Sequence, residues 1–407
     1  MVTDLVIVGG GAAGLACAVT GAREGLKVVL LEKTDRCGRK LALTGGKKGN
    51  FTHAESPREM AARFDCEPRQ ILPLLRRFPY QRIVEYFAGL GIRARTDEDG
   101  CVWPVGTDAA GIRDALEREA TRLGCEIRKQ SRVVELAPSW CVRLSDGTEI
   151  SARNLCLATG GASYPSTGST GDGLSLAGKL GLRVVPWFPA LASLATRDDL
   201  SRLAGISQPR VRMELQVAGQ AARTAVGHFI FAHGYVSGSS VLNLCGYAAR
   251  ALASGKQVVL QVDWVPDLNP TQLTGELEAG RREHPRQQLS TFLCRYVARR
   301  LADVILQKAG VAVGRVLADL TRDERQRVIA GLKETRFEIA GTEPIERATT
   351  TGGGVALDEV DLNTMQVRRF PGLYCAGEVL DVWAETGGYS LHFAWAAGIA
   401  AAEAAVI

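Results

Sequence analysis

With 407 residues, 46% hydrophobic and 23% charged, the chain has the composition of an ordinary soluble globular protein, long enough for two or three domains. Its net charge of +5 permits a polyanionic partner without requiring one. The ten cysteines contain no C-x-x-C pair, and Cys17, Cys156 and Cys375 sit in apolar runs, so reduced buried thiols are expected and disulfides or a metal site are not. No apolar run reaches membrane-spanning length, and the first strand starts at the N-terminus, so no signal peptide, no membrane partner and a cytoplasmic location are expected.

Asp4 to Val8 is an apolar run of strand length, and Gly9, Gly11 and Gly14 follow it in G-x-G-x-x-G spacing. The first glycine allows a tight turn, the second lets a pyrophosphate approach the backbone, and the third lets a helix pack close to the sheet. That helix, from about Ala12 through Ala13 to Glu24, points its free N–H groups at the phosphate. Lys27 to Leu31 is the next buried strand, and Glu32 at its tip can accept both hydroxyls of an adenosine ribose. An acid there disfavours a 2′-phosphate, so the expected nucleotide is FAD or NAD.

The loop from Lys33 through Arg39 and Lys40 to Gly45, Gly46, Lys47, Lys48, Gly49, Asn50 and His53 is rich in glycine and cations, suited to wrap phosphate and a flavin edge or else to be a solvated basic loop. Residues 56–90 read as helical, followed by a helix over about 109–123. Short strands are expected near 126–129, 132–136, 141–144 and 149–151, with Asp146-Gly147 as a hairpin turn, and a separate buried strand over 154–158 ending in Thr159, Gly160 and Gly161. Residues 163–173 read as a loop near the site, and a short helix is expected over 174–181. From 189 to 262 the pattern reads as strands, from 267 to 333 as helices, and 336–340 as a returning strand. Finally, a strand runs into Gly377 and Glu378, and Gly387, Gly388 and Tyr389 open a helix of small residues to Ala405, whose N-terminus can support negative charge on a ligand.

The motifs VIVGGGAAGL, GRKLALTGGKKGNFT, LATGGASYPSTGSTGDG, FIFAHGYVSG, TTTGGGVALDEVDLNTM and PGLYCAGEVLDVWAETGGYSLHFAWAAG stand in this order. In them the chain resembles the BaiN-like FAD-dependent oxidoreductases, a family with aminoacetone-oxidase-type members, a bile-acid double-bond reductase and a ribosomal-RNA dihydrouridine synthase. The resemblance implies an α/β fold: a discontinuous Rossmann-like FAD-binding domain of the glutathione-reductase type with an inserted β-barrel-like domain carrying a helical subdomain. The expected boundaries are 1–189 and 346–407, 190–266 and 334–345, and 267–333 respectively. It also implies that Gly9, Gly11, Ala12, Ala13 and Gly14 hold the pyrophosphate, Glu32 and Lys33 the ribose, Arg39 and Lys40 the phosphate side, and Val134 the adenine through its backbone. Gly377 and Glu378 would meet the ribityl-phosphate region, and Gly388, Tyr389 and Ser390 the isoalloxazine. Two departures stand out: Gly49 where relatives carry a loop cysteine, and Ser237-Gly238-Ser239 where they carry SGP.

The expected chemistry is reduction of flavin by NADH or NADPH, then hydride delivery to a polarised double bond of a small substrate with a side chain as proton donor. Candidate donors are His53, Tyr164, His233, Tyr235, Tyr389 and His392, with His233 and Tyr389 favoured because they lie in the motifs. His228 and His284 read as surface or packing residues. A rival reading is an RNA-modifying flavoenzyme gripping phosphates with Arg281, Arg282, Arg286, Arg295, Arg299, Arg300, Arg322, Arg325 and Arg327, which Glu276, Glu278, Glu283, Asp319, Asp323 and Glu324 dilute. An oxidase of an amine or aminoketone and a flavin-binding protein without turnover complete the alternatives. Oligomeric state is not readable from the chain.

Overall fold

The computed structural model describes residues 3–406. They form two compact units, one of residues 3–188 with 345–406 and one of 189–344. In the first, strand β1 (Thr3–Val8) leads through a glycine turn into helix α1 (Ala12–Arg23) and strand β2 (Val28–Leu31). Strands β3 (Glu126–Arg128), β4 (Glu149–Leu157) and β5 (Leu373–Cys375) join them in a parallel sheet of order β5-β4-β1-β2-β3. All four residues of β2 and all three of β5 are buried, as strands covered on both faces must be. The order reverses between β1 and β4, which opens a crevice at their carboxyl ends.

Helix α2 (Tyr389–Ala404) packs on α1 through small residues, so closely that a Cβ on Gly398 would lie 2.2 Å from the Ala13 carbonyl oxygen. Its Trp395 is fully buried and donates from Nε1 to the Phe51 carbonyl at 3.0 Å, which satisfies the one polar atom of a large apolar side chain.

Two strands expected near 149–151 and 154–158 are one nine-residue strand, β4. Its first half pairs antiparallel with Cys141–Leu144 and its second half parallel with β1. The first part therefore alternates buried and exposed side chains while the last three residues, 155–157, are all buried, and the two patterns read as separate elements.

In the second unit six antiparallel strands close into a barrel, in the order Leu194–Thr196, Tyr235–Ser237, Arg223–Phe231, Ser207–Val217, Val258–Asp263 and Thr335–Thr342. Phe229, Phe231, Trp264 and Phe337 are buried together, with ring centroids 5.0 to 6.4 Å apart. The strand pattern expected across 189–262 is interrupted by a fifteen-residue helix, Ser239–Ala253, whose Val241, Leu244, Cys245, Ala248 and Ala251 are buried at helical spacing. Gly238 opens it at φ 108°, where a Cβ would lie 2.2 Å from the His228 carbonyl oxygen. The glycine of the Ser237-Gly238-Ser239 departure is thus a strand-to-helix hinge. Helices Pro270–Glu283, Leu289–Leu293, Arg299–Lys308 and Arg322–Lys333 follow. All ten cysteines are free thiols. Among the described residues no helix is long and apolar enough to cross a membrane.

Candidate functional site

The crevice at the carboxyl ends of β1, β2, β4 and β5 is a pocket lined by Gly9, Gly11, Ala12, Ala13, Glu32, Lys33, Arg39, Lys40, Thr159, Gly160, Gly377, Glu378 and Ser390, among others. Local chain geometry explains its shape. Gly9 turns at φ 107°, and a Cβ there would meet the Ala158 carbonyl oxygen at 2.5 Å; a Cβ on Gly14 would lie 1.9 Å from the Gly9 carbonyl oxygen. The turn is consequently tight enough to bring α1 end-on to the pocket. Its cap, Gly11, is extended and no side chain caps the helix, so the first-turn N–H groups are free to bind an anion. A Cβ on Gly11 would find its nearest contact at 4.0 Å, which leaves the backbone approachable.

At one end the Glu32 carboxylate accepts from the Gly10 N–H at 2.9 Å and from the Thr34 N–H at 2.8 Å, while the single Thr34 hydroxyl hydrogen stands between that carboxylate at 2.9 Å and the Arg36 carbonyl at 2.8 Å. The two backbone bonds fix the carboxylate's orientation at the pocket lining and leave acceptor positions open for further donors. Lys33 reaches Thr170 at 2.5 Å and Asp172 at 3.2 Å, and Arg132 joins Asp172 at 3.0 Å. Burial pushes the Asp172 carboxyl up, but the bonds from Thr170, Arg132 and Lys33 outweigh it and hold the group below the usual range.

Midway, Lys40 donates to both carboxylate oxygens of Glu378 at 2.8 Å and to the Ser163 hydroxyl at 2.5 Å, while Glu378 also accepts from the Thr351 N–H at 2.9 Å. At the other end Gly388 caps α2 at φ 95° with no side-chain bond, and Ser390 and Leu391 reach the lining. The Ser390 hydroxyl and the Asn50 side-chain oxygen are buried without a hydrogen-bond partner. Such atoms cost about 1–3 kcal/mol each, so a ligand group bonding to Ser390 from the pocket would recover that energy.

The sequence profile of the HI0933-like protein Rossmann domain matches residues 3–404. The chain belongs to the HI0933-like family. Curated relatives include the 3-dehydro-bile acid delta(4,6)-reductase of Clostridium scindens, 29% identical over 409 residues and covering 98% of each chain. Another is the ribosomal RNA dihydrouridine synthase of Escherichia coli, 29% identical over 406 residues, 98% of this chain and 97% of that protein. Among solved structures, 3-ketosteroid delta1-dehydrogenase from Sterolibacterium denitrificans superposes with a TM-score of 0.53 at 14% identity, covering 100% and 99% of the two chains. The 3-ketosteroid-delta4-(5alpha)-dehydrogenase from Rhodococcus jostii RHA1 gives 0.52 at 16%, covering 100% and 97%. These two share the fold.

In this HI0933-like chain several expected contacts do not line the pocket. Ser131, Arg132 and Val133 line the pocket next in the chain to Val134, whose expected contact is through its backbone and whose side chain is 37% exposed. Gly14 belongs to the α1–β1 contact, Gly45 turns against Trp103 and Asn50, a Cβ on Gly46 would touch nothing within 4 Å, and Gly161 packs on Thr351. Gly387, Gly388 and Tyr389 shape the start of α2 from behind the lining, with a Cβ on Gly388 only 2.6 Å from the Asn50 oxygen. Gly49 is left-handed at φ 78°, and a Cβ there would lie 2.9 Å from the Ala109 Cα, so this loop is shaped for glycine.

The structure also sorts the proton-donor candidates. His392 is fully buried with both ring nitrogens bound, to the Thr52 hydroxyl at 2.7 Å and the Phe78 carbonyl at 2.9 Å, and burial pushes its pKa down to about 4. It is a structural residue. His53 stacks on Tyr389 with centroids 4.8 Å apart, and its Nδ1 lies 3.1 Å from the Gly387 carbonyl. Tyr389 is buried, which pushes its hydroxyl well above the ordinary range, with Glu55 adding to the effect. Tyr164 is left-handed at φ 53° and starts a short 3-10 turn. His233 and Tyr235 belong to the second unit, His233 exposed on a turn. The residues that sequence reasoning missed include Phe64, which carries no local signal of its own, and Thr349, Thr350, Val382 and Phe393, which stand in the quoted motifs and were not singled out there.

Proposed function

We propose that the chain is an FAD-dependent oxidoreductase that uses NADH or NADPH to reduce a polarised carbon–carbon double bond of a small organic molecule, on an FAD-binding domain of the glutathione-reductase type. The observation that carries this reading is the pocket itself, which runs from Glu32 and Lys33 past the bare N-terminus of α1 to the bare N-terminus of α2. Its residues suit FAD: Glu32, Lys33 and Val133 for the adenosine, the Ala12 and Ala13 N–H groups for the pyrophosphate, Gly377 and Glu378 for the ribityl chain, and Ser390 for the ring. When bound, FAD supplies the hydride-transfer chemistry.

The chain's own part is positioning, charge and a proton. The α2 N-terminus favours negative charge on whatever lies before it. The Lys40–Glu378 pair brings a cation and an anion that cancel, so it orients without adding net charge to the pocket. For the proton the two candidates are Tyr389, whose hydroxyl is protonated at neutrality and stands just behind the lining, and His233. The relatives' names support reduction of a double bond: one describes a delta(4,6)-reductase and the other the synthesis of dihydrouridine, a nucleoside whose base carries two added hydrogens. With one dinucleotide fold in the chain, the nicotinamide and the substrate would use the site in turn, giving ping-pong kinetics.

The test is anaerobic mixing of the purified protein with NADH and then NADPH while the flavin absorbance is followed. Rapid bleaching, reversed by an enone, with parallel double-reciprocal plots, is the expected result. A bound flavin that stays oxidised would turn the reading toward an oxidase, and a protein without flavin would overturn it.

A further inference from the structure

The arginines of the helical segment in the second unit fall into two groups. Arg299 pairs with Asp303, Arg315 with Glu324 and Arg325 with Glu278; Arg300 donates to the Arg202 and Ala204 carbonyls and Arg327 to that of Ala309. Glu276 accepts from the Tyr296 hydroxyl at 3.4 Å. Glu276, Glu278 and Glu324 are therefore spent on neighbours other than Arg281, Arg282, Arg286 and Arg295. Those four are exposed and have no acidic or carbonyl partner for their side chains among the described residues.

Packing brings them to one corner. A Cβ on Gly280 would lie 2.4 Å from the Phe292 ring, so helix Pro270–Glu283 runs directly against helix Leu289–Leu293. The Arg295 guanidinium lies 4.6 Å over the centroid of that same buried ring. The intervening turn is pinned by bonds from the Gln287 N–H to the His284 carbonyl at 2.9 Å, the Ala318 N–H to Pro285 at 2.9 Å and the Leu317 N–H to Gln287 at 3.0 Å. His284, Pro285, Arg286, Gln287 and Arg295 then line a depression that contains no acid. Arg281 and Arg282 sit in the last turn of their helix, where cations complement its negative end. Arg286 and Arg295 have no such role. The unpaired acids next in the chain, Glu283 and Asp319, lie outside the lining.

We propose that this corner is a phosphate-binding subsite, with the Arg286 and Arg295 guanidinium forks gripping phosphate oxygens and His284 closing the depression. Guanidinium is suited to that task because its N–H groups match two oxygens of one phosphate. The phosphate can belong to an RNA backbone or to a small phosphorylated ligand, and the test separates these sources.

The flavin-loaded protein is titrated against a fluorescent single-stranded RNA of about 20 nucleotides, and separately with pyrophosphate by calorimetry. If about four phosphates are neutralised, RNA affinity falls about 50-fold between 50 and 200 mM salt, and an Arg286→Glu, Arg295→Glu variant loses at least about tenfold with a flatter salt dependence. An Arg322→Glu, Arg368→Glu variant carries the same charge change away from the corner and is expected to bind as the parent does. All four side chains are exposed, and unchanged flavin content and Tm confirm that each variant is folded. RNA binding lost only in the corner variant assigns the backbone as the source. Pyrophosphate binding lost in that variant, without RNA binding, assigns a small ligand. The proposal is overturned if neither binds, if the corner variant binds like the parent, or if the control variant loses as much.

Discussion

Single atoms decide much of this pocket. Gly14 has no room for a methyl group, since its Cβ would lie 1.9 Å from the Gly9 carbonyl oxygen. Gly14→Ala must push α1 off the sheet, and we expect a loss of about 1–3 kcal/mol together with most of the bound flavin. Thermal melting and the flavin-to-protein ratio check this; full flavin content in the variant would contradict the assignment of α1 to the phosphate. Gly49 raises a different question, because relatives that the sequence resembles carry a cysteine there. In this chain the residue is left-handed and backed by Ala109, so Gly49→Cys is expected to destabilise by about 1–3 kcal/mol and to bring no gain in turnover. A stable variant with faster turnover would show that the loop can adopt another path. The spacing of Gly9, Gly11 and Gly14 already marks Gly14 as the position where the helix packs close to the sheet, whereas the left-handed turn at Gly49 against Ala109 is visible only in the packed structure.

At the scale of elements, α2 ties the C-terminus to the rest of its unit, and His392 is its polar anchor. The ring bridges the Thr52 hydroxyl and the Phe78 carbonyl from a fully buried position, so the neutral form is the one that fits. The ordinary pKa of 6.5 is lowered to about 4. Below pH 6.5 the unfolded chain takes up a proton that the folded one refuses, so this residue's stabilisation is present above 6.5 and is lost as the pH falls toward 4. The loss reaches about 3 kcal/mol across that window. Urea unfolding at pH 7 and pH 4.5, compared with His392→Gln, checks it: the variant is expected to be weaker at pH 7 and less sensitive to acid. An equal acid response in both proteins would remove His392 from the account. Sequence reasoning placed this histidine among the possible proton donors without favouring it. Its partners, Thr52 and Phe78, are more than 300 positions away, so nothing local could have marked it as structural.

Across the whole molecule, the pocket exists because β1 and β4 lie side by side while the chain between them builds other elements. Lys40 and Glu378, 338 positions apart, meet at 2.8 Å across it. A cofactor filling such a site binds the folded state alone, so removing it lowers stability, by about 4 kcal/mol where the free ligand stands at a thousand times its Kd. We expect the stripped protein to melt several degrees lower, FAD to restore the loss and FMN, which has no adenosine to reach Glu32 and Lys33, to restore little. Equal rescue by FMN would break the link between that end of the pocket and the adenosine.

The strand, glycine turn and helix from Asp4 to Arg23, the acid at Glu32 and the glycine-opened helix at Tyr389 were legible in the sequence because each rests on short-range sterics: φ freedom at glycine, strand-length apolar runs and helical periodicity. The long helix Ser239–Ala253 was missed although its buried residues do repeat at helical spacing, because the strand pattern on both sides was carried across it. What only the tertiary structure decided was which atoms meet. It brought Val133 to the pocket lining, merged β4 from two patterns, bound Glu32 to the Gly10 and Thr34 N–H groups and paired Glu278 and Glu324 with Arg325 and Arg315 rather than with Arg286 or Arg295. Each of these depends on contacts between segments far apart in the chain, and their geometry is set by packing rather than by the local pattern of residues.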